Sequence, residues 1–270
     1  MKYGLDQKIA VVTGGGGAIC GEIAKALASE GVRVAIWDLN KDSAEIKADE
    51  IRAAGGKALA IECDVTKQDS VAAAVQLTKD AFATVDLLVN GAGGGLKNAT
   101  TSPEKSFFDL IPGDMVGGFS LNYMSAVLPS QCVGRIFVEK KSGVILNITS
   151  IAGILPLTRS ISYSDAKAAA NSFTRWLAVH MAQTYSENIR VNAIAPGFML
   201  TEQNRFLLID EATGQITERG LQIIKSVPMA RYGKPQEILG AALWLLSEQS
   251  SFVTGAVIPV DGGLTAFSGV

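Results

Sequence analysis

Short apolar runs alternate with amphipathic helical segments from one end of the chain to the other. Runs such as IAVV, LLV and VILNI lack the alternation of apolar and polar residues that is typical of a strand with one solvent-exposed face. Strands of this kind are buried on both faces, as in a parallel sheet that helices cover on either side. Successive strand–helix–strand units also require right-handed crossovers. The sequence therefore predicts an α/β fold built on a doubly wound parallel sheet.

The same alternation predicts where the elements lie. Strands are expected at residues 8–13, 32–37, 57–62, 85–90, 143–148, 189–194 and 256–259. Helices are expected at residues 19–30, 41–54, 67–83, 114–139, 160–185 and 235–247. Because no linker, repeat or low-complexity run interrupts the pattern, we expect a single domain over residues 1–270.

Two stretches fit the alternation poorly. Residues 91–113 are rich in glycine and then in Ser, Thr and Pro, and residues 197–227 show a broken helical pattern. Loops of this length inside a compact domain usually carry function. We expect residues 197–227 to form a substrate loop or lid.

The composition excludes several classes of protein. The chain is 48% hydrophobic and 19% charged, which argues against disorder, and its net charge of −2 offers no basic surface for nucleic acid. One histidine and three widely spaced cysteines give no metal-ligand motif, so we expect no metal. Scattered cysteines fit a reducing cytosol, and no run reaches the ~20 apolar residues of a membrane span. We expect a cytoplasmic protein without a membrane or nucleic-acid partner.

The first predicted strand runs into a glycine-rich turn, TGGGGAICG, and then into a helix. Glycine lets the backbone approach a pyrophosphate closely, and the helix N-terminus offers free N–H groups. The G-x-G-x-x-G pattern is not satisfied, and the absence of a following Gly-Lys-Ser/Thr disfavours a P-loop. A purely structural turn is the less favoured alternative. The residues expected to contact a dinucleotide here are Gly14, Gly16, Gly17, Ala18 and Ile19.

Carboxylates follow the next two predicted strands. Asp38 ends the second strand, where it can bind the ribose hydroxyls of adenosine and repel a 2′-phosphate. Because its neighbour Leu39 is uncharged, NAD is favoured over NADP. Asp64, followed by Val65, can reach the adenine amino group, although such a pair more often forms only a turn. A further group after the fourth strand is placed to touch the cofactor or brace the turn: Asn90, Gly91, Ala92 and Gly93.

Tyr163 and Lys167 lie four residues apart in a predicted helix, and therefore on one face. A free Tyr has a pKa of ~10, and a neighbouring ammonium group stabilises the phenolate. Lowering this pKa by roughly three units takes about 4 kcal/mol. By chance alone, a Tyr-x-x-x-Lys pair occurs in roughly one such chain in four. The pair by itself is therefore weak evidence for a catalytic site and has to be judged together with the motifs around it.

Several motifs occur together in a distinctive order: TGGGG, Asp64, NGAG at 90–93, Asn122, Ser150, YSDAK at 163–167 and Pro196-Gly197. Because it contains these motifs in this order, the chain resembles the short-chain dehydrogenase/reductase family over almost its whole length. The resemblance implies a single Rossmann-type domain, an NAD-dependent oxidoreductase of alcohols and ketones, and a homotetramer.

The resemblance also implies roles for individual residues. Tyr163 is expected to be the general acid/base, and Lys167 to lower its pKa and hold the nicotinamide ribose. Ser150 is expected to hydrogen-bond the reacting oxygen, and Asn122 to position a water molecule. The residues expected at the nicotinamide end are Pro196, Gly197 and Thr201.

The chain departs from the family pattern in its glycine turn. Ala18 and Cys20 stand where the family has glycine, so we expect a shifted phosphate contact rather than lost binding. A further hypothesis is that Cys20 makes the turn sensitive to oxidation.

Longer segments, among them PLTRSISYSDAKAAANSFTRWLAVH and NAIAPGFMLTEQNR, resemble a branch of the family that interconverts D-mannonate and D-fructuronate with NAD. A small sugar acid is thus the expected substrate, with a gluconate or polyol dehydrogenase and an idle nucleotide-binding scaffold as alternatives. A sugar acid needs a cation for its carboxylate, and we expect Arg205 or Lys97 to provide it. Solvated surface charges are the competing interpretation. The full set of candidate substrate residues is Lys97, Arg159, Gln203, Asn204 and Arg205.

Overall fold

A single parallel sheet forms the centre of the computed structural model, which describes residues 3–201, 205, 208–210 and 213–269. Its strands are β1 Ile9–Thr13, β2 Arg33–Asp38, β3 Lys57–Glu62, β4 Leu87–Asn90, β5 Gly143–Ile148, β6 Ile189–Pro196 and β7 Val257–Val260. They lie side by side in the order β3-β2-β1-β4-β5-β6-β7, and every neighbouring pair is parallel. The predicted fold class, a doubly wound Rossmann-type sheet in a single domain, is confirmed.

Helices cover both faces of the sheet. They are α1 Ala18–Ser29, α2 Lys41–Ala53, α3 Gln68–Phe82, α4 Pro112–Lys140, α5 Ile161–Thr184, α6 Glu218–Ser226 and α7 Leu239–Leu246. Val12 of β1 packs into a core with Ile23 of α1, whereas its neighbour Val11 packs into a second core with Phe137 of α4. Successive strand residues thus enter opposite cores, which is why the strands are apolar without alternation.

The element bounds agree with the sequence-based prediction except in the C-terminal part. Helix α6 lies in the stretch that was expected to be an irregular lid, and the Thr217 side chain caps it by accepting a hydrogen bond from Gly220 N. The helix expected at 235–247 begins as a short 3₁₀ turn, Pro235–Ile238. Among the described residues no helix has the length and apolar character that a membrane crossing requires.

The sheet order brings separate parts of the chain to one edge. Thr13 at the end of β1 pairs with Asn90 at the end of β4, and Asn90 pairs with Asn147 of β5. The strand order reverses between β1 and β4, and ligands of such sheets bind beyond the carboxyl ends of the strands at this point. The Thr13 hydroxyl ties the end of β1 to the loop after β4 by accepting hydrogen bonds from the backbone N–H groups of Gly91 at 3.1 Å and Ala92 at 3.3 Å.

Candidate active site

The glycine turn lies against the loop that follows β4. Gly14 has a φ of +63°, and an added Cβ there would lie 2.8 Å from the Cα of Ala92. Gly17 is the N-cap of α1, without a side-chain cap, and the first turn carries no acidic residue. The backbone N–H groups in the first turn of α1 can therefore bind an external anion. The turn that includes Ala18 and Ile19 fits the pyrophosphate of a dinucleotide.

Asp38 braces this turn. One carboxylate oxygen accepts a hydrogen bond from Gly16 N at 3.0 Å, and the other accepts one from Asn40 N at 2.9 Å. Asp38 stays partly exposed at the end of β2, beside the exposed Leu39. Because a carboxylate has about four acceptor sites, it retains capacity for ribose hydroxyls.

Asp64 makes local contacts after β3. Its carboxylate accepts hydrogen bonds from the backbone and hydroxyl of Thr66 and pairs with Lys67 at 3.0 Å. The Thr66 hydroxyl is the main cause that lowers the pKa of Asp64, followed by Lys67. Val65 beside it is buried. Asp64 thus stabilises the turn, the plainer of the two roles considered from the sequence, and it remains partly exposed.

The Cys20 side chain fills space against Gly91. A Cβ added to Gly91 would lie 1.9 Å from the Cys20 sulfur, so Cys20 packs directly on the backbone of the neighbouring loop. The thiol is 3% exposed, and burial raises its pKa to about 12. Since the thiolate is the form that oxidants attack, the hypothesis of an oxidation-sensitive turn at Cys20 conflicts with the structure.

The Asn90 side chain points into the protein rather than toward a ligand. Its amide donates to the backbone carbonyl of Ala126, to the Ser130 hydroxyl at 3.0 Å and to Asn147 Oδ1 at 2.9 Å. Asn147 in turn donates to the Thr174 hydroxyl at 2.9 Å. This buried network joins β4 and β5 to α4 and α5 beneath the site. Of the two roles expected for the group 90–93, touching the cofactor or bracing the turn, these side-chain contacts of Asn90 fit the bracing role.

Asn122 holds the loop after β4. Its Oδ1 accepts from Gly94 N at 2.9 Å, and its Nδ2 donates to the carbonyl oxygens of Gly94 at 2.8 Å and Gly118 at 3.0 Å. The side chain is 2% exposed, and a Cβ on Gly93 would lie 2.6 Å from Oδ1. In this structure Asn122 thus fixes the glycine loop, where the family resemblance implied a water-positioning role.

Ser150, Tyr163 and Lys167 converge between the end of β5 and the start of α5. The Ser150 hydroxyl is close enough to the Tyr163 phenol to lower its pKa, and Ser150 Oγ accepts a hydrogen bond from Ala152 N at 3.1 Å. Lys167 Nζ lies 5.6 Å from the centre of the Tyr163 ring and donates to the Ile148 carbonyl at 3.1 Å. Ser150 and Lys167 are buried. A phenol and a hydroxyl can therefore act on one substrate oxygen here, with an ammonium group beside the phenol.

The acidity of Tyr163 differs from the expectation. Burial raises the pKa of Tyr163, and the hydrogen bond with Ser150 offsets only part of that rise. Lys167 was expected to lower this pKa, but burial lowers the pKa of Lys167 itself to about 8. Desolvation penalises the charged form of both groups, so it favours phenol and neutral amine alike. At neutral pH, Tyr163 therefore carries a proton that it can donate.

The expected substrate residues that the structure describes are all exposed. Lys97 is exposed in the 3₁₀ turn Lys97–Ala99, and Arg205 is exposed in the described part of the 197–227 stretch. Arg159 is exposed in the turn before α5, and its carbonyl accepts a hydrogen bond from Thr101 N at 3.0 Å. Two further candidates lie outside the described residues: Gln203 and Asn204.

The end of β6 brings the nicotinamide-end candidates to the same sheet edge. Gly197 N donates to the Val260 carbonyl at 2.9 Å, and a Cβ on Gly197 would lie 2.6 Å from the Asp261 Cα. Pro196 ends β6, and Thr201 follows at partial exposure. These residues therefore flank the edge that also carries the glycine turn.

Comparison with known proteins identifies the family. A family model described as enoyl-(acyl carrier protein) reductase matches residues 16–265. The chain is a short-chain dehydrogenase/reductase. As a member of this family it is an oxidoreductase that acts on an alcohol or a ketone.

Relatives of this short-chain dehydrogenase/reductase match over nearly their full length. An uncharacterised oxidoreductase of Bacillus subtilis, UxuB, is 44% identical over 275 residues, which cover 98% of each chain. A proposed D-mannonate oxidoreductase of Haemophilus influenzae, solved with bound NAD, is 40% identical with a TM-score of 0.93, covering 98% of each chain. The 7α-hydroxysteroid dehydrogenase of Escherichia coli is 37% identical over 259 residues, covering 96% of this chain and 94% of that one.

Proposed function

We propose that the protein is an NAD-dependent oxidoreductase that interconverts D-mannonate and D-fructuronate in the cytoplasm. The observation that carries the proposal is the likeness to the NAD-bound Haemophilus protein, at 40% identity and a TM-score of 0.93 over 98% of both chains. Overall sequence identity does not distinguish a sugar-acid substrate from a steroid, because the 7α-hydroxysteroid dehydrogenase is also 37% identical to this chain. The choice rests on the segments beside Tyr163 and after β6, which resemble the sugar-acid branch.

NADH, when bound, supplies the hydride that reduces the ketone carbon. The proposed task of Tyr163 is to donate its phenol proton to the ketone oxygen as negative charge develops there. The proposed task of Ser150, whose hydroxyl lies beside the Tyr163 phenol, is to hold that oxygen within reach of the proton. The ammonium group of Lys167, 5.6 Å from the Tyr163 ring, stabilises the phenolate that remains. In the opposite direction the same groups remove the proton of the alcohol.

The preference for NAD over NADP rests on Asp38. Its carboxylate is held at the end of β2 by Gly16 N and Asn40 N, so it cannot easily turn away from a ligand in the turn. A 2′-phosphate at this position would face a fixed negative charge. Turnover with NADH is therefore expected to exceed turnover with NADPH.

The substrate is proposed to lie between the glycine loop after β4 and a lid formed by residues 197–227. Asn122 holds the glycine loop through Gly94, and α6 belongs to the 197–227 stretch. Lys97, Arg205 and Thr201 belong to these two segments. The lid assignment is supported by its place directly after β6, at the edge where the glycine turn also lies.

A homotetramer is proposed for the assembly. Helices α4 and α5 pack together on one face of the sheet and leave large apolar side chains exposed: Val116 at 68%, Trp176 at 60% and Val179 at 55%. An apolar surface of this kind on a soluble fold is typical of subunit contacts.

The test of the proposed function is an NADH-oxidation assay against a panel of ketones. The panel contains D-fructuronate, 5-keto-D-gluconate and D-fructose, in which a CH₂OH group replaces the carboxylate of fructuronate. We expect the highest kcat/KM with fructuronate. A higher value with ketogluconate would replace the proposed substrate, and a higher value with fructose would overturn the sugar-acid assignment.

Tyr163→Phe distinguishes an enzyme from a nucleotide-binding scaffold. The substitution removes the phenol hydroxyl and keeps the ring, so we expect turnover to fall by at least about 100-fold while NADH binding, measured by fluorescence, stays within about twofold. Retained turnover would contradict the acid/base role of Tyr163. Normal NADH binding by a wild-type protein that reduces no ketone would favour the scaffold.

A further inference from the structure

The segment that carries Ser150 lies directly against α5. A Cβ added to Gly153 would lie 2.5 Å from the carbonyl carbon of Lys167 and 2.6 Å from its carbonyl oxygen. Since Cβ atoms do not approach other atoms so closely, only glycine lets the two backbones meet at this point. Gly153 does not have a positive φ, so it is the contact and not the backbone conformation that requires glycine here.

Asn171 ties the same turn to α5 through its side chain. The residue is buried, and its Nδ2 donates a hydrogen bond to the Gly153 carbonyl at 3.2 Å. Asn171 follows Lys167 by four residues in α5, so both side chains lie on one face of the helix. Lys167 Nζ donates to the carbonyl of Ile148, the last residue of β5, at 3.1 Å. Two side chains of one helix face therefore hold the chain on either side of Ser150.

Ser150 and Gly153 belong to one hydrogen-bonded turn. The turn is the 3₁₀ helix Ile151–Gly153, and Ser150 is its N-cap. Gly153 N donates to the Ser150 carbonyl at 3.0 Å, and Ala152 N donates to the Ser150 hydroxyl oxygen at 3.1 Å. A displacement of Gly153 away from α5 would therefore change the direction of the Ser150 hydroxyl relative to Tyr163, which is fixed on that helix.

Within the described residues, only one end of the Asn171 amide has a partner. Nδ2 bonds the Gly153 carbonyl, whereas Oδ1 is buried without a donor. A buried acceptor without a donor is unfavourable for folding. An apolar residue such as leucine would remove this penalty, but it would also remove the donor to the Gly153 carbonyl. The bond to the Ser150 turn therefore explains an amide at this position, and packing does not.

We propose that Asn171 is a positioning residue that, through Gly153, holds Ser150 in line with Tyr163 for the reaction. This inference rests on the proposed function, because Asn171 acts through the roles proposed for Ser150 and Tyr163. The reacting oxygen has to lie within hydrogen-bond reach of the proton donor, and a misplacement of about 1 Å can lower the rate by about 100-fold. Asn171 contributes no reacting atom, so its effect on the rate comes from alignment.

The test is a double-mutant cycle between Asn171→Leu and Ser150→Ala, with NADH and the ketone of the panel that the wild type reduces best. Asn171→Leu keeps the volume and removes the donor, so kcat should fall by about 10- to 100-fold, with KM and NADH affinity within about threefold of wild type. In the Ser150→Ala background the same substitution should lower kcat by less than about threefold, because the group that it aligns is already absent.

Gly153→Ala disturbs the same contact from the opposite side. Its Cβ would also lie 2.7 Å from Asn171 Nδ2, so the turn should shift and kcat should fall by at least about 10-fold. Thr78→Val is the matched control, because it likewise removes a buried side-chain hydrogen bond of a helix, which Thr78 Oγ1 in α3 accepts from Trp37 Nε1 at 3.1 Å. This variant should be less stable but keep kcat within about twofold of wild type.

NADH affinity, measured by fluorescence, reports whether each variant is folded, and Gly153→Ala replaces Asn171→Leu in the cycle if the latter does not bind NADH. A fall in kcat that depends on the presence of Ser150 supports the positioning role. An unchanged kcat, a rise in KM alone, or the same loss with and without Ser150 would overturn it and leave the proposed function intact. A wild-type protein that reduces no ketone would instead refute the proposed function, and the positioning role with it.

Discussion

Gly91→Ala tests the packing of Cys20 beneath the glycine turn. The new Cβ would lie 1.9 Å from the Cys20 sulfur and 3.2 Å from the Thr13 carbonyl oxygen, but 3.5 Å from the Cys20 Cβ. Gly91 does not have a positive φ, so alanine adds no backbone strain. Overpacking of this kind costs about 2 kcal/mol of unfolding free energy.

Cys20→Ala removes the atom responsible for the clash. Alone it leaves a small cavity and should cost about 1 kcal/mol. In the double variant the new methyl group of residue 91 occupies the space of the lost sulfur, so the total loss should be about 1 kcal/mol rather than the additive ~3. The coupling between the two substitutions is therefore expected to be about 2 kcal/mol in favour of the pair.

Urea unfolding of the wild type, both single variants and the double variant measures this coupling, and NADH affinity reports on the turn. Gly95→Ala is the control, because its Cβ would have no neighbour within 4 Å. We expect it to change stability by less than about 0.5 kcal/mol. A double variant that loses the sum of the two single effects would refute the packing argument.

Two further predictions concern the proton donor and the glycine loop. Because burial raises the pKa of Tyr163, kcat/KM for alcohol oxidation should rise about tenfold per pH unit through neutral pH, while ketone reduction stays flat until Lys167 loses its proton at about 8. A pH profile that is flat for oxidation would contradict the raised pKa. Asn122→Ala removes both hydrogen bonds to Gly94 and should cost about 1–3 kcal/mol, with faster hydrogen exchange of the Gly94 amide. Unchanged exchange would show that the loop is held by other contacts.

Local sequence patterns predicted most of the fold. The apolar runs located the seven strands, because a strand buried on both faces is apolar over its length. The glycine turn and the four-residue spacing of Tyr163 and Lys167 were equally local, since they involve one strand–helix unit and one helix face. Helix α6 was missed because the helical pattern in the sequence of the 197–227 stretch is broken and α6 itself is only nine residues long.

What the sequence alone determined is thus the order of the elements, the doubly wound sheet and the residue types at one sheet edge. Only the tertiary structure decided which distant groups meet, such as Cys20 with Gly91 and Asn122 with Gly94. It also reversed the expected direction of the Tyr163 pKa shift. The reason is that a local pattern encodes periodicity along the chain, whereas a contact or a desolvation energy depends on all the atoms that folding packs around a group.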